Sequence, residues 1–235
     1  MHNSLPNYQA GLLLITLAAL ALSWTHTTPA LAESQPIPIN LSVRAESAFF
    51  GSHDSQIRID SVQGDSADKD VIVEDLYPSF GASLAVDFPV LPYFSPGFML
   101  RAMAWSTQSA NKLKLVRNLW LDINLSLRGH YAFLNDRLSV YLFVPVGLTI
   151  NRFSKDVQDS FDADWYHGIG INTATLLGFQ VRLHSHLSVF VEGGWGFRYF
   201  AHGAHGEVFG APASATLENV INQAIMNIGL AVDMK

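Results

Sequence analysis

NLWLDINLSLRGHYAFLNDRLSVYLFVPVGLTIN, running from Asn118 to Asn151, is the stretch that decides how this chain folds. Its first sixteen residues alternate without a break. One face carries Leu119, Leu121, Ile123, Leu125, Leu127, Gly129, Tyr131 and Phe133; the other carries Asn118, Trp120, Asp122, Asn124, Ser126, Arg128 and His130. A period of two is the signature of a β-strand with unlike faces, because successive side chains point to opposite sides. Soluble strands usually stop after about five or six residues, so this one is unusually long. Asn135-Asp136-Arg137 then supply a tight turn, and Leu138 to Asn151 resumes the alternation. Leu138, Val140, Leu142, Val144, Val146, Leu148 and Ile150 oppose Ser139, Tyr141, Pro145, Gly147, Thr149 and Asn151.

The same design repeats outward from this hairpin. Trp165 to Leu183 and Leu187 to Ala201 alternate around His184-Ser185-His186, and weaker versions occur at Ile39 to Phe50, Leu76 to Phe88, Gly97 to Thr107 and Val220 to Met234. Eight strands result. Their connections alternate between long (51–75, 108–117, 155–164, 202–218) and short (89–96, 135–137, 184–186), as an up-and-down meander requires.

Composition agrees with a chain that is not an ordinary soluble domain. Of 235 residues 49% are apolar and only 14% charged, against roughly 25% charged in soluble chains. The formal charge of −6 disfavours nucleic acid as a partner, since phosphate binding needs clustered Lys and Arg. With no cysteine, disulfides, thiolate metal sites and Cys nucleophiles are excluded. No segment after the N-terminal one approaches 18 continuous apolar residues, which excludes a helical membrane protein.

Apart from Arg152, the outward-facing exception in its strand, charge on the strands lies almost wholly on one face. There Arg44, Arg101, Arg128, Arg182 and Arg198 balance Glu46, Asp87, Asp122, Glu192 and Asp233. Five of each sign, with every base an arginine, predicts a paired network inside a barrel, because Arg grips carboxylates bidentately. The opposite face would be insoluble in water and at home in lipid. Aromatics mark its two edges: Phe88, Phe98, Tyr131 and Phe133 near the short turns, and Trp165, Trp195, Phe197 and Tyr199 toward the long loops. Two such girdles are expected of a membrane-spanning barrel. A soluble ligand-binding barrel would need the two faces inverted.

The first 32 residues hold no Lys, Arg, Asp or Glu. Gly11 to Trp24 is rich in Leu and Ala and precedes Ala30-Leu31-Ala32, the pattern of a cleavable signal peptide. The expected layout is a signal peptide over 1–32 and a barrel over 33–235, exported through the Sec pathway.

At this point a resemblance can be named. Gly129-His130-Tyr131-Ala132-Phe133-Leu134-Asn135-Asp136-Arg137-Leu138-Ser139-Val140-Tyr141, and Phe179 to Tyr199 with Gly193-Gly194-Trp195-Gly196, resemble the strand–turn–strand units of small outer-membrane β-barrels, OmpA-like and OmpX-like. The resemblance implies an all-β, eight-stranded antiparallel up-and-down transmembrane barrel of a Gram-negative outer membrane. Such barrels usually end in an aromatic residue, whereas this sequence closes on Asp233-Met234-Lys235.

Candidate chemistry is sparse. Some outer-membrane barrels that edit lipid A use a His-x-Ser pair with a nearby Glu, and His186, Ser188 and Glu192 match in outline. His186 falls in a short turn on the wrong side for lipid A, while Ser188 and Glu192 point into the barrel, so no catalytic residue is assigned. Residues 51–75 carry Asp54, Asp60, Asp65, Asp68, Asp70, Glu74 and Asp75; the 155–164 loop carries Asp156, Asp159, Asp162 and Asp164. Their spacing matches no EF-hand loop, and a solvated acidic rim is the reading adopted. Within the first loop the alternation around Gly64-Asp65-Ser66 predicts a hairpin reaching beyond the membrane. His202 and His205 sit in a Gly-rich loop and are not assigned a metal. An open pore needs about 16–18 strands, which this chain is too short to supply.

The sequence therefore predicts a non-enzymatic outer-membrane barrel with no cofactor or metal. It would contact lipid and lipopolysaccharide, act as a monomer, and meet an extracellular ligand or protein at its acidic loops. A lipid A-modifying hydrolase and a narrow small-solute channel are the alternatives.

Overall fold

The computed structural model describes residues 38–61, 66–72, 78–108, 115–153, 164–165, 167–208 and 211–234. All of these lie in one compact unit, Ile37–Lys235. The signal-peptide reading of 1–32 falls outside the described residues.

Ten strands and no helix form among the described residues: β1 (Ile39–Ser61), β2 (Ser66–Ile72), β3 (Ser79–Asp87), β4 (Phe94–Gln108), β5 (Leu115–Phe133), β6 (Leu138–Phe153), β7 (Asp164–Trp165), β8 (Gly168–His184), β9 (Leu187–Val208) and β10 (Ala211–Met234). Eight of them close a ring in the order β1-β3-β4-β5-β6-β8-β9-β10, every pairing antiparallel, with β10 returning to β1. This is the expected eight-stranded up-and-down barrel. The short strands β2 and β7 lie off the ring, β2 against β1 and β7 against β9.

Closure fixes the stagger of the wall. Following paired residues once round from Leu41, through Val86, Phe98, Leu125, Val146, Thr173, Phe197 and Asn222, arrives at Ser52, eleven positions further along β1. A closed barrel must return each strand face to itself, so an odd stagger would turn the outer face inward. The β1 strand corrects this with a bulge between Ala48 and Gly51, which inserts the extra residue. Gly51 is required there because a Cβ would collide with the Asn222 carbonyl on β10.

Burial follows the alternation. On β5, Trp120, Asp122, Asn124, Ser126 and Arg128 are buried, while Leu119, Ile123, Leu125 and Leu127 are exposed. An outward Leu125 at 59% exposure, Ile171 at 56% and Ile228 at 58% belong to an apolar belt shared by all eight ring strands. A patch of that size has no place in water and suits hydrocarbon.

The largest departures from the expected boundaries lie at two places. Residues 202–208 and 211–218, expected within a long loop, continue as β9 and β10, paired in register from Leu217↔His202 to Ala211↔Val208. Likewise β1 runs eleven residues past Phe50, and the predicted hairpin forms with β2, Ile59 opposite Ala67. Hydrophobic alternation fades there, although the hydrogen-bond ladder continues. The β5–β6 turn spans Leu134–Arg137, with Leu134, Asn135 and Asp136 all at positive φ (52°, 55° and 60°).

Interior network and short-turn mouth

Among the described residues, the inward-facing charges of the ring strands each meet a partner on another strand, because an unpaired buried ion is costly. Arg44 on β1 donates from Nε and Nη2 to the two carboxylate oxygens of Glu192 on β9, at 3.1 and 3.2 Å, and from Nη1 to Ser42 at 2.7 Å. Glu192 also accepts from Tyr141 at 2.8 Å and Asn227 at 2.9 Å. The Arg44 guanidinium lies 4.5 Å from the Phe143 ring centre and 5.0 Å from that of Phe190.

A second cluster surrounds Asp122. Its Oδ2 accepts Arg101 Nε at 2.7 Å and Arg198 Nη2 at 2.8 Å, and its Oδ1 accepts the Thr149 hydroxyl. Arg101 also reaches Glu46 at 3.5 Å and Asn172 at 3.1 Å, which joins β1, β4, β5, β8 and β9 across the lumen. Arg198 stacks 4.2 Å over Trp120. Asp87 and Arg128 meet at 3.2 Å, with Ser126 donating to Asp87 at 3.2 Å. Arg182 and Asp233 stand apart from these: their 3.7 Å contact is at the mouth, with side chains 41% and 29% exposed. Of the ten charged positions singled out in sequence, eight are buried and two lie at the rim.

Three interior aromatics escaped the sequence reading. Phe143, Phe190 and Phe200 are fully buried on the polar face, two of them stacked on Arg44. Their inward parity was the available signal; their apolar chemistry disguised it.

The girdle residues occupy mixed settings. Phe98, Tyr131 and Phe133 are exposed at the short-turn end, and Phe88 packs edge-on against Phe98 at 6.4 Å. Trp195 is exposed, whereas Phe197 and Tyr199 are half-buried. Trp165 pairs through its backbone with Ala204, and its side chain lies outside the described residues.

His186, Ser188 and Glu192 do not assemble. His186 Nδ1 contacts the Asp233 carbonyl at 3.1 Å in the exposed turn, and Ser188 is buried. Four residues of strand hold Ser188 about 13 Å from Glu192 along the backbone. His202 and His205 fall on opposite faces of β9, His202 buried edge-on to Phe200 at 5.4 Å and His205 exposed. Among the described residues no group of three potential metal ligands occurs. Asp54 is exposed; Asp65, Glu74, Asp75, Asp156, Asp159 and Asp162, and the side chains of Asp60, Asp68, Asp70 and Asp164, lie outside the described residues.

At the short-turn end the ring opens into a cavity of about 380 Å³, lined in part by Asp87, Arg128, His130, Asp136, Arg137, Arg182 and Asp233.

No family model and no curated protein matches this sequence. The crystal structure of the outer membrane protein OprG from Pseudomonas aeruginosa superposes with a TM-score of 0.62, over 84% of this chain and 96% of that one, at 11% identity. The fold is that of a small outer-membrane β-barrel. The outer membrane protein AlkL gives 18% identity over 90% of this chain and 97% of its own, at a TM-score of 0.42. Neisserial surface protein A gives 12% over 80% and 96%, at 0.38. At those two scores the superpositions add nothing to the assignment.

Proposed function

We propose that the protein is a monomeric outer-membrane barrel whose lumen is closed and whose work is done outside the membrane, at an acidic strand wall that meets a cationic ligand or protein. The observation that carries this reading is the extension of β2, β1, β10, β9 and β7 as one antiparallel wall past the end of the apolar belt. That part of the sequence includes Asp54, Asp60, Asp68, Asp70, Asp164, Glu207 and Glu218 against Arg58 and Lys69. An acidic field of this kind steers and selects basic partners. Closure of the lumen is supported by the cross-barrel contacts Arg44–Glu192 and Arg101–Asp122–Arg198, which fill the space an open porin would leave to water. Lipid and lipopolysaccharide would surround the belt, with the exposed Arg152 at the far end of β6 placed for a phosphate.

Binding of an oligolysine peptide to the refolded barrel tests the reading. Saturable, salt-sensitive binding is expected from the native chain, and loss of it from an Asp54→Asn, Asp60→Asn, Asp68→Asn, Asp70→Asn variant. Equal binding by both chains would refute the acidic wall as the working surface. Large steady conductance in planar bilayers would refute closure, and lipid A that loses an acyl chain in cells making the protein would favour a hydrolase instead.

A further inference from the structure

Two of the three short turns of the ring are apolar at their tips. In the β3–β4 turn Val90, Leu91 and Tyr93 are each more than half exposed, and so is Leu134 in the β5–β6 turn. The β8–β9 turn presents His184, Ser185 and His186 instead. The β3–β4 turn lies against β5, whose His130 N–H donates to the Tyr93 carbonyl at 2.9 Å. With the outward Tyr131 and Phe133 of β5, the two turns carry the apolar belt past the ends of its strands. Pro89 and Pro92 line the mouth cavity, whereas Val90, Leu91 and Tyr93 do not.

Both turns have features that an aqueous setting does not call for. Backbone polar groups of an irregular segment are costly in apolar surroundings unless they are paired. In the β3–β4 turn Pro89 and Pro92 have no N–H to pair, and Leu91 and Phe94 exchange two backbone hydrogen bonds of 3.2 Å. Phe88 donates its N–H to the Pro96 carbonyl at 2.8 Å, which closes the base of the turn. In the β5–β6 turn Leu134 sits at φ 52°, in the left-handed region that its neighbours Asn135 and Asp136 tolerate and a leucine does not favour. An apolar side chain held at so exposed and so disfavoured a position points to a surface that covers it.

We propose that the β3–β4 and β5–β6 turns form an apron seated in the lipid leaflet on the short-turn side, at the level where acyl chains meet headgroups. Continuity with the belt selects lipid as the occupant, so the proposal rests on lipid covering the belt. Tyr93 and Tyr131 suit that depth, because a phenol sets its ring in the apolar layer and its hydroxyl in water. The contact is one-sided. Strands β3 to β6 form one half of the ring, and the acidic wall rises from β9, β10 and β1 in the other. Lipid therefore reaches further toward the short turns beneath β3–β6 than beneath the β8–β9 turn.

The chain has no cysteine, so a single introduced one can carry a nitroxide label. The full barrel is refolded into dilauroylphosphatidylcholine vesicles with the label at Leu91→Cys, Leu134→Cys, Ser185→Cys or, on the belt, Leu125→Cys. Collisions of each label with oxygen and with a water-soluble nickel chelate are then measured. The oxygen-to-nickel ratio at Leu91→Cys and Leu134→Cys is expected to be at least about three-fold that at Ser185→Cys, because apolar oxygen partitions into acyl chains and the chelate into water. Should Leu134→Cys fail to fold, Val90→Cys reports on the same apron. The proposal alone is overturned if Leu125→Cys reads as lipid while the turn labels read as Ser185→Cys does. It is also overturned if the turn labels meet neither collider, which would mean that protein covers them. A Leu125→Cys label open to the chelate would overturn the lipid reading of the belt as well.

Discussion

Arg44 on β1 holds Glu192 on β9 by a side-on pair of hydrogen bonds, at 3.1 and 3.2 Å, although β10 stands between their strands. Neither side chain is accessible to solvent. The pair thus staples the seam where the first and last ring strands meet, and its energetics are those of a buried ion pair. Removing one partner strands the other charge in a dry interior, at a cost of about 3–5 kcal/mol.

Glu192→Ala is accordingly expected to lower the unfolding free energy in urea by about 3–5 kcal/mol. An Arg44→Met, Glu192→Leu double variant should be more stable than Glu192→Ala, because no uncompensated charge remains. A double variant as unstable as the sum of its singles would show that the pair is not coupled.

Asp122 is shared by two arginines that approach no closer acid, so its charge keeps Arg101 and Arg198 compatible. Asp122→Asn leaves two guanidiniums facing a neutral amide. Beyond a loss of about 3 kcal/mol or more, the repulsion should loosen the centre of the lumen. Brief conductance events in planar bilayers, absent from the native barrel, are the expected readout.

Leu125 sits outward on β5 between Phe98 and Val146. If lipid covers this surface, Leu125→Arg places a charge near the midplane and costs about 2–4 kcal/mol on refolding into vesicles. Arg152→Leu, at the far end of β6, should change stability by less than about 1 kcal/mol. Equal tolerance at both sites would argue that the surface is not in hydrocarbon.

Two glycines separate the crowded interior from the open exterior. A Cβ at Gly147 would meet the Ile123 carbonyl and Asn124 Oδ1, whereas one at Gly193 meets nothing within 4 Å. Gly147→Ala should therefore destabilise by about 1–3 kcal/mol, through overpacking. Gly193→Ala should be neutral or stabilising by up to about 1 kcal/mol, since it restricts only the unfolded chain. Thermal denaturation of the two variants side by side decides the matter.

Strand periodicity alone determined much of this protein. Which residues of β5 and β6 face in and which face out follows from alternation, a local property of extended backbone, and the eight-strand count follows from the turns between such runs. The same parity placed eight of the ten strand-face charges in the interior. It could not say who pairs with whom. That Arg44 meets Glu192 across β10, and that Asp122 receives Arg101 from the adjoining β4 and Arg198 from β9 across the lumen, depends on strand register and on closure of the ring. The outward continuation of β9 and β10 was equally hidden, because the backbone ladder continues there although the hydrophobic alternation of the sequence fades. Arg128 has neighbours of both kinds: Tyr141 and Phe143 lie on the adjoining strand β6, whereas Asp87 on β3 comes within 3.2 Å only because the sheet curls past β4.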